Sequence, residues 1–419
     1  MERNGLQISR QLDQNQTMIT KSELQNRALE LQPRLVEIRR QIHANPELSF
    51  QEFETAKLIE SYLQNELGLT TQRMANTGVV ALIEGQNPES KVVGLRADMD
   101  ALPIIEVEDG RPYRSKNEGV MHACGHDVHS TCLLGAATLL QERRHEFSGT
   151  IKLVFQPGEE KLPGGASMLI EEGVLKNPPI DAMIGQHVMP RIHTGKTGFR
   201  PGLYMASTDE IYITVHGKGG HGAMPQFALD PVLMSSHMIV ALQQVVSRFA
   251  DPSMPSVLSF GKVTAAGATN VIPSKVDIEG TFRTLNETWR SEAHEHIERI
   301  AKGVVEGMGG TVDVRIVKGY PFLHNHETLT IDCQQDARDY LGEDQVEDLG
   351  IWMAAEDFSY YSQAAPSCFY RLGTWSESKN TGFSVHHASF DVDEDAIAVG
   401  SGLMAYLAIQ ELSRPKRSK

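Results

Sequence analysis

From residue 209 to residue 318 the chain spells an interruption that restricts its fold more than any other feature. The order is a strand (DEIYITVHG), a glycine-rich loop (GKGGHGAMP), a helix (DPVLMSSHMIVALQQVVSRFA) and two strands (SVLSFGKVTAA, SKVDIEGTFRT). A helix (NETWRSEAHEHIERIAKGVVEG) and a strand (TVDVRIVKG) close the unit. Strands are read from short β-rich runs and helices from apolar residues three and four apart. The order β-α-β-β-α-β is ferredoxin-like and complete in itself. The flanks carry a different pattern. Upstream come VVALIEG (79–85), KVVGLRADM (91–99), a helix over 126–147, TIKLVFQP (150–157), the helix GGASMLIEEG and DAMIGQHV (181–188). Downstream come a helix near 327–341, the strand SCFYRLG (367–373) and a C-terminal helix from DAIAVGSG. Alternation of this kind predicts an α/β domain with a largely parallel mixed sheet flanked by helices. The expected division is a polar tail (1–20), a discontinuous larger domain (21–197 and 319–419) and an inserted α+β domain (198–318). A chain of 419 residues exceeds what one core usually supports, which agrees with two domains.

Charge and cysteine content exclude several function classes. A net charge of −15 argues against nucleic acid or an anionic membrane as the main partner. Four cysteines do not make a disulfide framework, so a reducing, cytoplasmic location is expected. The first 20 residues hold no apolar run that would serve as a secretory signal. The longest apolar stretch, 396–409, is too short to span a bilayer and is expected to be a buried helix.

Chemistry concentrates in five places: RADMDALP (96–103), MHACGHDVHS (121–130), FQPGEE (155–160), GQHVMP (185–190) and SVHHASF (384–390). Four of the five follow or end a predicted strand, where catalytic groups of open α/β sheets converge. Singly, each has a plain reading: an acidic loop for Glu159-Glu160, a core histidine for His187, a surface loop for His386-His387, turn or cap residues for Asp98 and Asp100. Together they offer Cys124, His126, Glu160, His187 and His386 as ligands for a borderline ion. Five ligands exceed one open site and suit a two-metal centre. Asp127 opens a helix, where a carboxylate suits the N-terminal dipole. His129 is a packing or supporting residue, and His122 is expected to line the pocket without touching metal. AHEHIER and HNHE lack the H-E-x-x-H spacing, and no G-x-S-x-G elbow or P-loop is present.

Eight motifs in order, GLRADMDALPI, MHACGHDVH, FQPGEE, GQHVMP, GKGGHGAMP, ATNVIP, AAEDFSYY and the late His386, resemble the aminoacylase/carboxypeptidase family of co-catalytic metallohydrolases. The similarity covers roughly 25–412 and is nearest the amidohydrolase branch acting on N-acyl amino acids. The resemblance implies two divalent ions, zinc or manganese with cobalt or nickel as alternatives, held by Cys124, His126, Glu160, His187 and His386. It implies Glu159 as general base and later acid, and Asp100 as a supporting carboxylate. The insertion matches a lid through which members dimerise. His221 in GKGGHGAMP matches an oxyanion-stabilising residue given to the partner subunit. Asn270 and Arg283 match positions that hold the substrate's carboxylate or carbonyl. The chain departs from the wider family with Asp98-Met99-Asp100 in place of H-x-D, and with Cys124 where an acidic bridge is usual. The expected substrate is an N-acyl amino acid, with a dipeptide as the alternative. A cysteine hydrolase using Cys124 leaves Glu159, Glu160 and His386 without a role, and a silent binding protein leaves the whole set without one.

Overall fold

The computed structural model describes residues 20–417. The expected tail therefore lies outside the described residues except for Thr20, which caps the first helix by accepting from Glu23 N. Among the described residues the large sheet has eight strands. In spatial order they are Thr71–Met74, Gly78–Glu84, Thr150–Gln156, Val92–Asp98, Ala182–His193, Ser367–Trp375, Thr197–Phe199 and Val346–Asp348. The central four run parallel. Parallel strands covered on both faces read as continuous apolar runs, and Val92–Asp98 is buried at every position. Its side chains alternate between the faces. Val93, Leu95 and Ala97 join the core beneath helices Lys21–His43, His126–Glu142 and Ala396–Ser413. The opposite face packs Leu169, Met183, Phe358 and Phe369.

Helix Ala396–Ser413 is long and apolar enough to cross a membrane by length and composition, yet 78% of it is buried inside the fold. A helix apolar all round fits that central place. It is the buried helix expected from the sequence.

The inserted segment folds around its own core of Ile211, Ile213, Met238, Leu242, Ile297 and Val305. Its antiparallel sheet has the order Ser256–Thr264, Lys275–Thr284, Asp209–His216, Thr311–Lys318. With helices Pro231–Leu242 and Glu287–Gly307 this is the ferredoxin-like arrangement.

Two differences from the sequence reading bear on the site. The strand expected to end at 188 runs on to His193, and short strands such as Thr197–Phe199 and Val346–Asp348 extend the sheet. Strand Val92–Asp98 pairs with Ala182–His193 only as far as Arg96 opposite Gly185. Two residues further on each strand, Asp98 and His187 stand at the open carboxyl end of the sheet, where such folds place their ligands.

Candidate metal centre

The turn before helix His126–Glu142 builds the middle of the site. Gly125 sits there with φ 84°, and a Cβ on it would lie 2.5 Å from Val188 Cγ2. Only glycine turns the chain this closely against the neighbouring strand, and the turn presents Cys124 and His126 to one side. Gly125→Ala is expected to cost roughly 1–2 kcal/mol from the left-handed backbone alone and to displace both side chains. Thermal melts combined with metal titration would measure this; a variant with unchanged melting and metal affinity would refute it.

Cys124 is common to two triplets of donor atoms. Its Sγ lies with the nitrogens of His126 and His187 in one and with Glu160 and His386 in the other, all atoms of each triplet within 4.8 Å of one another. Cys124 Sγ is 3.4 Å from His187 Nε2, and His386 Nε2 is 3.1 Å from Glu160 Oε1. His386 reaches this position from a left-handed backbone (φ 64°), with its N–H donating to Ala123 O at 2.7 Å. Among the described residues His126 Nε2 is buried without a hydrogen-bond partner, and Glu160 Oε1 has only its ion-pair contact with His386. Buried polar atoms are rarely left unpaired, so this under-satisfied set of donors and acceptors around a thiol fits a cation.

Asp100 organises the other half. It accepts from Ser49 Oγ at 2.6 Å and from the backbone N–H groups of Glu159 and Glu160 at 3.0 Å. It also lies 3.1 Å from His126 Nδ1. One carboxylate thus fixes the ring of His126 and the turn carrying Glu159-Glu160. Asp98 takes His129 Nδ1 at 2.6 Å, while His129 Nε2 accepts from Val188 N at 2.8 Å. Both nitrogens of His129 are engaged, so it braces the site and has no lone pair to give an ion.

The electrostatics separate the candidates. Burial alone would push the His126 imidazole down, but Asp98 and Asp100 outweigh it and hold it up, to about 10. Such an anionic setting equally favours a bound cation. Burial, with Glu160 and Glu159, pushes the Cys124 thiol well above its ordinary value. That is the opposite of what a thiolate nucleophile needs, whereas a neighbouring metal ion would deprotonate it. Burial, with Glu356 and Glu160, pushes the Glu159 carboxyl well above the usual carboxylate range.

A cavity of about 380 Å³ opens over the cluster, lined by Glu159, His187, His386, Arg283, Arg371 and Trp352 among others. Arg283 comes from the inserted sheet. His221 and Asn270 do not line this cavity; they lie on an exposed ribbon in which Val271 pairs with His221 and Asn270 O accepts from Gly222 N. His122 is buried with both ring nitrogens unpartnered among the described residues, outside the residues lining the cavity, and burial lowers it to about 3. Asp127 is more than a helix-end charge: it takes Arg39 Nε at 2.8 Å and His43 Nδ1 at 2.7 Å in the buried interior.

The sequence reading gave no role to Arg96, Glu356, Asp357 or Tyr320. Arg96 pairs with Asp98, Glu356 and Asp357, and Tyr320 Oη donates to Glu159 O at 2.6 Å. An arginine inside the apolar strand VVGLRAD and the acid pair of AAEDF were the available signals, since a buried charge demands a counter-charge.

A cluster of imidazoles, carboxylates and a thiol at the carboxyl end of a parallel sheet defines a metallohydrolase-type site. The chain belongs to peptidase family M20/M25/M40, whose model matches residues 94–410. It is 41% identical over 309 residues to N-acyl-L-amino acid amidohydrolase of Geobacillus stearothermophilus, covering 74% of this chain and 82% of that one. It is 38% identical to thermostable carboxypeptidase 2 of Saccharolobus solfataricus, covering 92% and 98%. The solved structure of the YXEP protein of Bacillus subtilis, a dinuclear metal-binding peptidase of the M20 family, superposes with a TM-score of 0.78. It is 34% identical and covers 92% of this chain and 99% of that one.

Proposed function

We propose that this chain is a metal-dependent amidohydrolase that splits N-acyl amino acids into a carboxylic acid and an amino acid. The observation that carries the reading is the pair of donor triplets sharing Cys124, with the buried Glu159 carboxyl beside them. Cys124, His126, Glu160, His187 and His386 would hold two divalent ions, which when bound acidify water and polarise the amide carbonyl. Glu159 takes the proton of the attacking water and returns it to the leaving amine. Burial, Glu356 and Glu160 oppose its ionisation, and cations held beside it would favour the ionised form that a base needs. Asp100 keeps His126 and the Glu159 turn in register. Arg283 binds the substrate carboxylate as a guanidinium fork, with Asn270 assisting from the neighbouring subunit's ribbon.

The exposed ribbon with His221 and Asn270 fits a homodimer in which His221 completes the neighbouring subunit's site. In this reading residues 198–318 are a lid and 21–197 with 319–419 the metal-binding domain, in the cytoplasm. The carboxypeptidase relative supports a second substrate class, dipeptides, cleaved by the same groups.

Chelation is expected to abolish hydrolysis of N-acetyl and N-benzoyl amino acids, and adding back Mn²⁺, Zn²⁺ or Co²⁺ to restore it. Full activity in protein shown to be metal-free would rule the reading out. Dipeptides in the same panel decide between the two substrate classes.

A further inference from the structure

Four arginines are wholly buried among the described residues: Arg39, Arg96, Arg290 and Arg371. Three are neutralised by acids. Arg39 meets Asp127, Asp391 and Glu394, Arg96 meets Asp98, Glu356 and Asp357, and Arg290 meets Asp209 and Glu287. Arg371 has no carboxylate within ion-pair distance among the described residues. Its Nε donates to Tyr204 Oη at 2.7 Å and its Nη2 to Met205 Sδ at 3.0 Å, while Nη1 has no hydrogen-bond partner among the described residues. The guanidinium packs on aromatic rings, 4.7 Å from the Trp352 centroid and 5.2 Å from that of Phe369.

A buried charge without a counter-charge costs heavily. Ring faces supply part of the missing negative potential, but they leave Nη1 unbonded. Arg371 faces His187 across the parallel strands and lines the same cavity. A divalent ion at His187 would add positive charge there instead of offsetting it. The cavity's other arginine, Arg283, likewise has no acid within ion-pair distance among the described residues; its Nη1 donates to Met353 O at 3.3 Å. A substrate with a single carboxylate satisfies one of the two.

We propose that Arg371 anchors a second carboxylate on the substrate, so that the preferred N-acyl amino acids are dicarboxylic. The proposal rests on the hydrolase reading above. The second carboxylate comes either from the acyl group or from the amino-acid side chain, and both present the same fork-matching group to the guanidinium. The cavity of about 380 Å³ is of the size that holds a small ligand. Arg371 has no exposed surface, so access runs past Trp352, a residue that is 37% exposed and lines the cavity as well.

The test compares kcat/KM of metal-loaded enzyme for N-acetyl-L-alanine, N-succinyl-L-alanine and N-acetyl-L-glutamate. One of the two dicarboxylic substrates is expected to exceed N-acetyl-L-alanine by about tenfold or more, the usual worth of a charge-assisted pair. Which one does so identifies the source of the second carboxylate. Arg371→Leu and Arg371→Gln are each expected to collapse that ratio toward one. Calorimetric titration of the same compounds into metal-loaded Glu159→Gln protein, with and without Arg371→Leu, reads the anchor without turnover. Hydrolysis of all three compounds with equal efficiency, or equal affinities in the titration, overturns the proposal and leaves the hydrolase reading intact. Absence of all hydrolysis with selective binding of a dicarboxylate does the reverse.

Discussion

Glu159→Gln is expected to lower kcat by about a thousandfold, within the range that a positioned general acid–base group contributes, while the protein keeps its metal. The substitution is nearly isosteric, and the surroundings of Glu159 tolerate a neutral group. Its carboxyl is buried, and Glu356, Glu160, Asp357 and Asp100 all oppose its ionisation. The backbone that positions it is held by contacts that glutamine leaves untouched: its N–H to Asp100 Oδ1 at 3.0 Å and its carbonyl oxygen to Tyr320 Oη at 2.6 Å. The loss should therefore fall on kcat, with KM changing little. Metal analysis of the purified variant and steady-state kinetics separate the two roles open to Glu159. Loss of bound metal alongside activity would make it a ligand, and activity within a few-fold of wild type would remove it from the chemistry altogether.

The order of elements was legible because each element carries its own period. Ile211, Ile213 and Val215 alternate along Asp209–His216, and helix Glu287–Gly307 repeats buried residues at Ala293, Ile297, Ala301 and Val305. The lengths of strands at the sheet's periphery were not legible, since three-residue strands such as Thr197–Phe199 show no period. The five proposed ligands could be picked out because thiols, imidazoles and paired acids are rare at strand ends and have few other uses there. The residues that orient them could not. His129 looked much like His126 in sequence, and only the Val188 N–H on its Nε2 shows that its lone pair is taken. Arg371 and Arg96 both lie on apolar strands and both look like interruptions. What distinguishes them is whether acids from distant loops arrive, and a single sequence carries no record of that.

Arg96 is the residue whose loss should unsettle the most structure. It is wholly buried, with Nη1 on Asp98 at 2.6 Å, Nη2 on Glu356 at 3.0 Å and on Asp357 at 2.8 Å, and Nε on Gln156 at 3.0 Å. Arg96→Met keeps the volume of the stem and removes the charge. Breaking one side of a buried ion pair typically costs about 3–5 kcal/mol, because the other charge is left uncompensated. Here three acids lose one partner, so the apparent Tm should fall by roughly 5 °C. The damage should spread by a traceable route, since Asp98 also holds His129, and His129 holds the backbone of Val188 beside the Gly125 turn. Metal affinity should therefore fall with stability. A pH trend is expected as well. Burial and Glu356 already hold the Asp357 carboxyl up, to about 8, against the opposing pull of Arg96. Removing Arg96 raises it further, and a group whose folded value is raised gives stability at low pH that is lost as pH rises through that value. The Tm deficit of the variant should thus be larger at pH 8.5 than at pH 6. Arg96→Lys retains the charge but cannot span three acids with one ammonium, and its Tm should lie between the two. Melting curves of the three proteins at both pH values test the chain of contacts. A variant melting within two degrees of wild type at each pH would show that the acids find another way to shed their charge.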